Sequence, residues 1–532
     1  MYFLTIRSAL ISYLFSFSLW LQAAPPPTGH GVYAIWYHDH YDYLNVPYIA
    51  GGQVVVQWAD VDKGEGQYDF SSIAEEIHKL NAMGKKTTVQ INGNKKPAWL
   101  FDKVPCYPGK LSIQVRDSQG TLMYWHPVFL NAYINMLKAF AAFMAQSPDW
   151  RAAIGVRLNF DAIGTEHGIV SKEAQDLSKW KIPPGGTPGT PWSPEKFEAY
   201  QQAVVDTYVN CLSPYMKIFV RNSISNKLEE QYRQAFQSGK LGWFHTSSEA
   251  EPRSTSGENG CLRFYQDCRS GKTVAYAEPW ASAWGVHDSK VDDRPISPPQ
   301  WNYWRLLFDL NCGVSYVAVY AVDLSVAVNG TYLEGKRGRY DEQKDRRGYQ
   351  REFEAAFRFA AKYAGYHASP EESPGAWVAF RENYKSLAAN VPNENNRQLN
   401  FFTNDYTFLM QRLPDKSMGV CKVGPENQRQ GAWARLLPAG ERMQLQVDKH
   451  FAASFKGGKV MVTYLERSED AGNTFDILAV GARKTVTVGN SGRWQTAELA
   501  LPDAPLAPFE NGAHLQITAG ARPVCLHMVE VQ

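Results

Sequence analysis

The chain has 532 residues, 44% of them hydrophobic, and a formal net charge of +2. That length exceeds one ordinary domain, and that composition excludes a largely disordered polymer. Acidic and basic residues are interspersed without a basic tract, which excludes nucleic acid as the expected partner.

Residues 1–24 read as a secretory signal peptide. Arg7 supplies the positive charge, the stretch 9–21 is apolar, and Ala23, Ala24 and Pro25 to Pro27 come next. The apolar stretch is short for a membrane span. The first cysteine is Cys106, so lipoprotein anchoring is not expected, and no later stretch is expected to cross a bilayer. The mature protein is therefore expected to be secreted or periplasmic. Export permits disulfides, but the cysteines number seven, so at least one is unpaired within the chain. Cys261 and Cys268 are close enough in sequence to bridge; free buried thiols are the equal alternative.

Eight β-rich runs occupy 31–37, 53–58, 86–92, 153–160, 216–223, 241–247, 272–277 and 313–322. Their centres are nearly continuous in apolar or β-branched residues, such as Val54-Val55-Val56 and Ile218-Phe219-Val220. Strands covered on both faces read this way. Helical patterns lie between most of them. Ser71-Ser72-Ile73-Ala74-Glu75 opens with a capping-box pattern and Gly84 closes that helix. Residues 131–145 are apolar at helical spacing, Ser193-Pro194-Glu195 opens a third helix, and 298–311 and 349–363 come after runs seven and eight. Only 41–52 shows no helix. Strand and helix alternating eight times predict a (β/α)8 barrel over 25–368. From 369 to 532 short alternating runs and turn signals predict an all-β sandwich, with 390–400 a polar loop or linker.

Active sites of such barrels sit at the C-terminal ends of the strands. Run four leads into Asp161-Ala162-Ile163-Gly164-Thr165-Glu166-His167, and run seven into Glu278-Pro279-Trp280. A pair of carboxylates in such places is what glycoside hydrolysis needs, one as acid and one as nucleophile or base. Glu249, after run six, is the rival to Glu278. The other strand ends offer His38, Asn159, Arg221, Asn222, His245 and Tyr320 as substrate contacts. Trp58, Trp99, Trp125, Trp280 and Trp284 are candidate sugar platforms, with burial the bland alternative for each. His126 and His287 fall in loops that could cover the cleft. His38 and His40 would share one side of a strand, but no third metal ligand is evident, so no metal and no cofactor is expected.

The segment Val54-Val55-Val56-Gln57-Trp58-Ala59-Asp60-Val61-Asp62, with Tyr68-Asp69-Phe70 and Pro97-Ala98-Trp99, resembles the second and third barrel strands of clan A glycoside hydrolases, especially the family 42 β-galactosidases. That resemblance implies a retaining glycosidase acting on an oligo- or polysaccharide, with Glu166 as acid/base and Glu278 as nucleophile. The clan carries Asn before its acid/base, where this chain has Thr165. Asn159, Asp161 or Asn222 would then make the contact to the sugar 2-hydroxyl. The alternatives are an inverting glycosidase, a non-catalytic glycan-binding barrel and a metal-dependent hydrolase. Trp377, Trp433 and Trp494 of the sandwich serve either carbohydrate binding or bracing, of which bracing is preferred.

Overall fold

The structure is a computed structural model that describes residues 29–38, 40–112, 114–159, 172–221, 226–246, 267–279, 281–288, 297–334, 342–381 and 405–532. Eight parallel strands close a barrel in sequential order: β1 (Gly31–Ile35), β2 (Ile49–Gln57), β3 (Lys86–Asn92), β4 (Ala153–Arg157), β5 (Lys217–Arg221), β6 (Leu241–Thr246), β7 (Ala275–Glu278) and β8 (Tyr316–Tyr320). Closure is made by β8 against β1, with Gly31 opposite Tyr316 and Ile35 opposite Tyr320. Each predicted run overlaps one of these strands. Strand β2 starts earlier than its apolar run because two glycines extend it. A Cβ on Gly51 would lie 1.9 Å from the carbonyl oxygen of Lys86, so the approach of β2 to β3 requires glycine there.

The principal helices are α1 (Ser71–Ala82), α2 (Pro127–Gln146), α3 (Pro194–Cys211), α4 (Pro298–Asn311), α5 (Ala321–Asn329) and α6 (Arg347–Tyr363). Between β1 and β2 the described residues form a single 3-10 turn, Tyr41–Tyr43. The capping box expected at Ser71 does not form. Phe70 occupies the N-cap, and Asp69 instead accepts the Ser71 N–H at 3.0 Å. Helix α3 opens as expected, with the Ser193 hydroxyl accepting from the Lys196 N–H. Helix α2 is, by length and composition, apolar enough to cross a bilayer. Here it is a barrel helix whose Phe129, Tyr133, Met136 and Phe140 are buried in the core. The eighth run also differs: β8 stops at Tyr320 and passes directly into α5, which Gly330 ends in the left-handed conformation.

The barrel interior has two characters. Its lower part is packed with rings, where Phe219 meets Tyr276 at 5.4 Å and Tyr316 at 5.3 Å, and Tyr33 meets Tyr316 at 6.1 Å. Gly155 makes room for this cluster, since a Cβ there would lie 2.2 Å from the Phe219 ring. The upper part is polar and forms the candidate active site.

The C-terminal region is two antiparallel sheets. Strands β9 (Ala376–Ala379), β10 (Tyr406–Phe408), β12 (Met418–Cys421), β13 (Trp433–Leu437), β15 (Gly458–Leu465), β18 (Trp494–Leu501) and β20 (Val524–Val531) form one. Strands β11 (Met410–Arg412), β14 (Arg442–Val447), β16 (Thr474–Ala479), β17 (Ala482–Thr487) and β19 (Leu515–Ala519) form the other. A separate apolar core fills the space between them. The first sheet docks on α4 and α6. Trp304 of α4 meets Trp433 edge-on at 4.8 Å, and the Tyr303 hydroxyl lies 3.0 Å from His527 Nε2. Arg429 pairs with Glu352 of α6 at 2.8 Å. Trp377, Trp433 and Trp494 are all buried, so their ring faces pack within the protein. The six described cysteines form no disulfide with one another; Cys261 and the stretch 390–400 lie outside the described residues.

Candidate active site

Alternate residues of a strand face opposite sides. In β2, β3, β4 and β7 this alternation sends Val54, Val89, Ile91, Val156 and Ala277 outward to the helices. Their neighbours Gln53, Gln90, Asn92, Arg157 and Glu278 meet in one hydrogen-bonded group within the upper barrel. Glu278 ends β7 and is 8% exposed. Its Oε2 accepts from Arg157 Nη1 at 3.2 Å and from Gln53 Nε2 at 3.5 Å. Gln90 Oε1 takes a second bond from each donor, at 3.1 Å from Arg157 and 3.0 Å from Gln53. Gln90 Nε2 donates in turn to Asn92 Oδ1.

The electrostatics favour an ionised Glu278. A buried carboxylate needs a paired cation and hydrogen bonds to remain charged. Arg157 supplies both, and its guanidinium stacks 3.7 Å above the Phe244 ring, which fixes its plane. Beneath lies Tyr276, whose hydroxyl is pushed up in pKa by burial first and by the charge of Glu278 second. Two buried acceptors near this group, Gln53 Oε1 and Asn159 Oδ1, have no hydrogen-bond partner among the described residues.

The residues expected from sequence fall in different places. Glu278 stands in the barrel mouth. Asn159 is fully buried and joins the same group, donating to Ile91 O at 2.7 Å and lying 3.4 Å from Asn92 Oδ1. Arg221 and Tyr320, both half-buried, end β5 and β8. His38 is exposed just beyond β1, in left-handed backbone at φ 46°. His245 lies in β6 opposite Ala277 of β7. Glu166, Asn222, Glu249, Asp161, Thr165 and Trp280 lie outside the described residues.

Trp58 requires a correction. It is fully buried, so it offers no platform to a sugar. Its indole N–H donates to Asp62 Oδ2 at 3.1 Å, while Trp99 donates to Asp62 Oδ1 at 3.0 Å. The segment that most resembles clan A barrels is thus a clamp around Asp62, joining the β2 exit to the Ala98–Asp102 turn. Trp125 is likewise buried, with its N–H on Thr190 O. Trp284 stacks on Phe353 of α6 at 5.3 Å. His126 does not cover a cleft: it caps α2, accepting from the Val128 N–H. His40 stacks on Tyr43 at 5.0 Å. Among the described residues no three His, Cys, Asp or Glu side chains group as a metal site.

Arg157, Gln53 and Gln90 are not among the residues expected from sequence. Gln53 and Gln90 lie inside their strands, while Arg157 is the last residue of β4. Their signal is polarity at inward positions within otherwise apolar runs. Asp323 is a further residue that sequence reasoning missed. Fully buried in α5, it accepts the Ala283 N–H on both oxygens, at 3.2 and 3.0 Å. It thereby anchors the segment that leaves Glu278. Burial pushes the Asp323 carboxyl up to about 7, against the opposing pull of that N–H and of Arg305.

No protein-family model matches the chain, and no curated protein matches it in sequence. Among solved structures it is similar to endo-glycoceramidase II from Rhodococcus sp., described as a lactosyl-enzyme intermediate. The identity is 9% and the TM-score 0.38, over 92% of this chain and 96% of that one. It is also similar to a glucosidase from Croceicoccus marinus, at 10% identity and TM-score 0.33, over 94% of this chain and 96% of that one.

Proposed function

We propose that this chain is an exported glycoside hydrolase with Glu278 as its nucleophile. The observation that carries the reading is a nearly buried carboxylate at the end of β7, held inward by Arg157 and Gln53. Such a group is anionic and fixed in direction. In the retaining reaction Glu278 attacks the anomeric carbon while protonated Glu166 donates to the departing oxygen. Water then cleaves the glycosyl-enzyme, with Glu166 acting as base. The assignment of Glu166, and a β-galactosidase-like preference, rest on the resemblance of the 53–100 segment and on run four.

The test is Glu278→Gln assayed on a panel of 4-nitrophenyl glycosides and on plant and algal polysaccharides. Turnover should fall by about three orders of magnitude or more. Near-normal turnover would overturn the nucleophile. A 2-fluoroglycoside should label Glu278 in a peptide map, and labelling of Glu249 would transfer the role there. Glu166→Ala should keep substantial activity only on aryl glycosides with good leaving groups, which need no protonation.

A further inference from the structure

The wall of the barrel is incomplete near its mouth. Strand β1 pairs with β2 only as far as Ala34 opposite Gly52. Strand β2 continues through Gln53–Gln57 on its β3 side, up to the pair Gln57–Asn92. Beyond Ile35 the chain turns away through two residues with left-handed backbone, Trp36 at φ 57° and His38 at φ 46°. Side chains rarely adopt that conformation, and where it persists it often marks a functional segment. With only the Tyr41–Tyr43 3-10 turn among the described residues between β1 and β2, the gap above Gly52 opens into a cavity of about 320 Å³. Its lining includes Trp36, Gln53 and Val55 from the barrel side and Tyr37, Tyr41 and Glu76 from the outer side. Gln53 belongs to both places, since it also donates to Glu278.

Glu76 is the chemical centre of this slot. Its Oε1 accepts from the Tyr37 hydroxyl at 2.7 Å and its Oε2 from the Tyr41 hydroxyl at 2.6 Å. An ionised carboxylate has about four acceptor positions, so each oxygen retains room for another donor. Burial, and then the charge of Glu76, push the Tyr37 hydroxyl up and keep it a donor. Two acceptor oxygens side by side match two adjacent hydroxyls of a pyranose ring. Half-exposed Trp36 and Tyr41 add aromatic surface beside them. Lys79 Nζ lies 4.0 Å from Glu76 Oε2 and 5.6 Å from the centre of the Tyr41 ring, so the slot carries charges of both signs and suits a neutral sugar.

We propose that the slot between β1 and β2 is a second glycan subsite, in which Glu76 and Tyr41 hold a neutral sugar unit that branches or extends from the one at Glu278. The connection to Glu278 rests on the glycosidase reading; the binding of a sugar in the slot does not.

The test compares Glu76→Gln and Tyr41→Phe with the unaltered protein on two substrate sets. One is 4-nitrophenyl monosaccharides; the other is galactomannan, xyloglucan, cello- and manno-oligosaccharides. The expected result is a fall in kcat/KM on oligosaccharides about tenfold or more greater than on the aryl glycosides, carried by KM. Equal losses on both sets, or none on either, would overturn the slot while leaving Glu278 standing. In parallel the same oligosaccharides are titrated calorimetrically into Glu278→Gln and into the doubly altered Glu278→Gln/Tyr41→Phe. Tyr41→Phe deletes one hydroxyl, so folding failure of Glu76→Gln leaves the proposal exposed to refutation. Binding lost with Tyr41→Phe but without turnover in the unaltered protein would retain the subsite and sink the glycosidase. Absence of both turnover and binding would sink both.

Discussion

At the scale of single residues, the barrel mouth separates groups by what surrounds them. Glu278 has a cation and two amide-bearing neighbours; Asp323, only a few residues away through Ala283, has burial with little compensation. Its carboxyl titrates near 7 when folded and near 3.8 as an ordinary aspartate. Between those values the folded chain holds a proton that the unfolded chain has lost. This group therefore adds stability as pH falls from about 7 toward 4, and its desolvation is fully opposed to folding above 7. Asp323→Asn keeps an acceptor for Ala283 and removes the charge. Its stability relative to the unaltered protein should be more favourable at pH 8 than at pH 5 by about 2–3 kcal/mol, read by urea denaturation at both. Equal differences at the two pH values would refute the assignment. Of the mouth residues, Glu278 was legible because a carboxylate stands directly at the end of a strand. Gln53 and Gln90 were not, because a polar residue inside an apolar run shows its direction only once register is known; Arg157 ends β4 but falls inside the longer run 153–160 read from sequence.

At the scale of elements, the eight strands were legible because both their faces are covered, which writes long apolar runs into the chain. Helix α5 was not, since Ala321-Val322 continues the β-branched character of β8 with no turn signal between them. The tryptophan at 58 reads as a strand-end ring in sequence; only folding brings Asp62 and Trp99 onto it. Strand β4 and strand β5 depend on one missing side chain. Gly155 faces the Phe219 ring, and a methyl group there would lie 2.2 Å from it. The ring is itself confined by Tyr276 and Tyr316. Gly155→Ala should destabilise the protein by about 1–3 kcal/mol through overpacking, measured by chemical denaturation. A neutral effect would mean that the ring column can shift.

At the scale of the whole molecule, barrel and sandwich are joined through buried polar groups as well as rings. His527 of β20 faces Tyr303 and Trp304, and burial, then the charge of Arg429, push it down to about 3. An ordinary histidine titrates near 6.5. Below that pH the unfolded chain takes up a proton that the folded one refuses, so this contribution falls as pH is lowered toward 3. The loss is about 2 kcal/mol between pH 6.5 and 5 for one such histidine. His527→Gln should show a smaller decline in stability over that interval, measured by denaturation at pH 7 and 5. An identical decline in both proteins would show that the interface does not sense acid.

The column of rings beneath Glu278 also governs traffic. Tyr33, Phe219, Tyr276 and Tyr316 shut the lower end of the barrel, so nothing passes through it from top to bottom. On the proposed glycosidase reading, a sugar released at Glu278 would have to leave on the mouth side, where the next molecule arrives. Product would then compete with substrate, and turnover would slow as product accumulates.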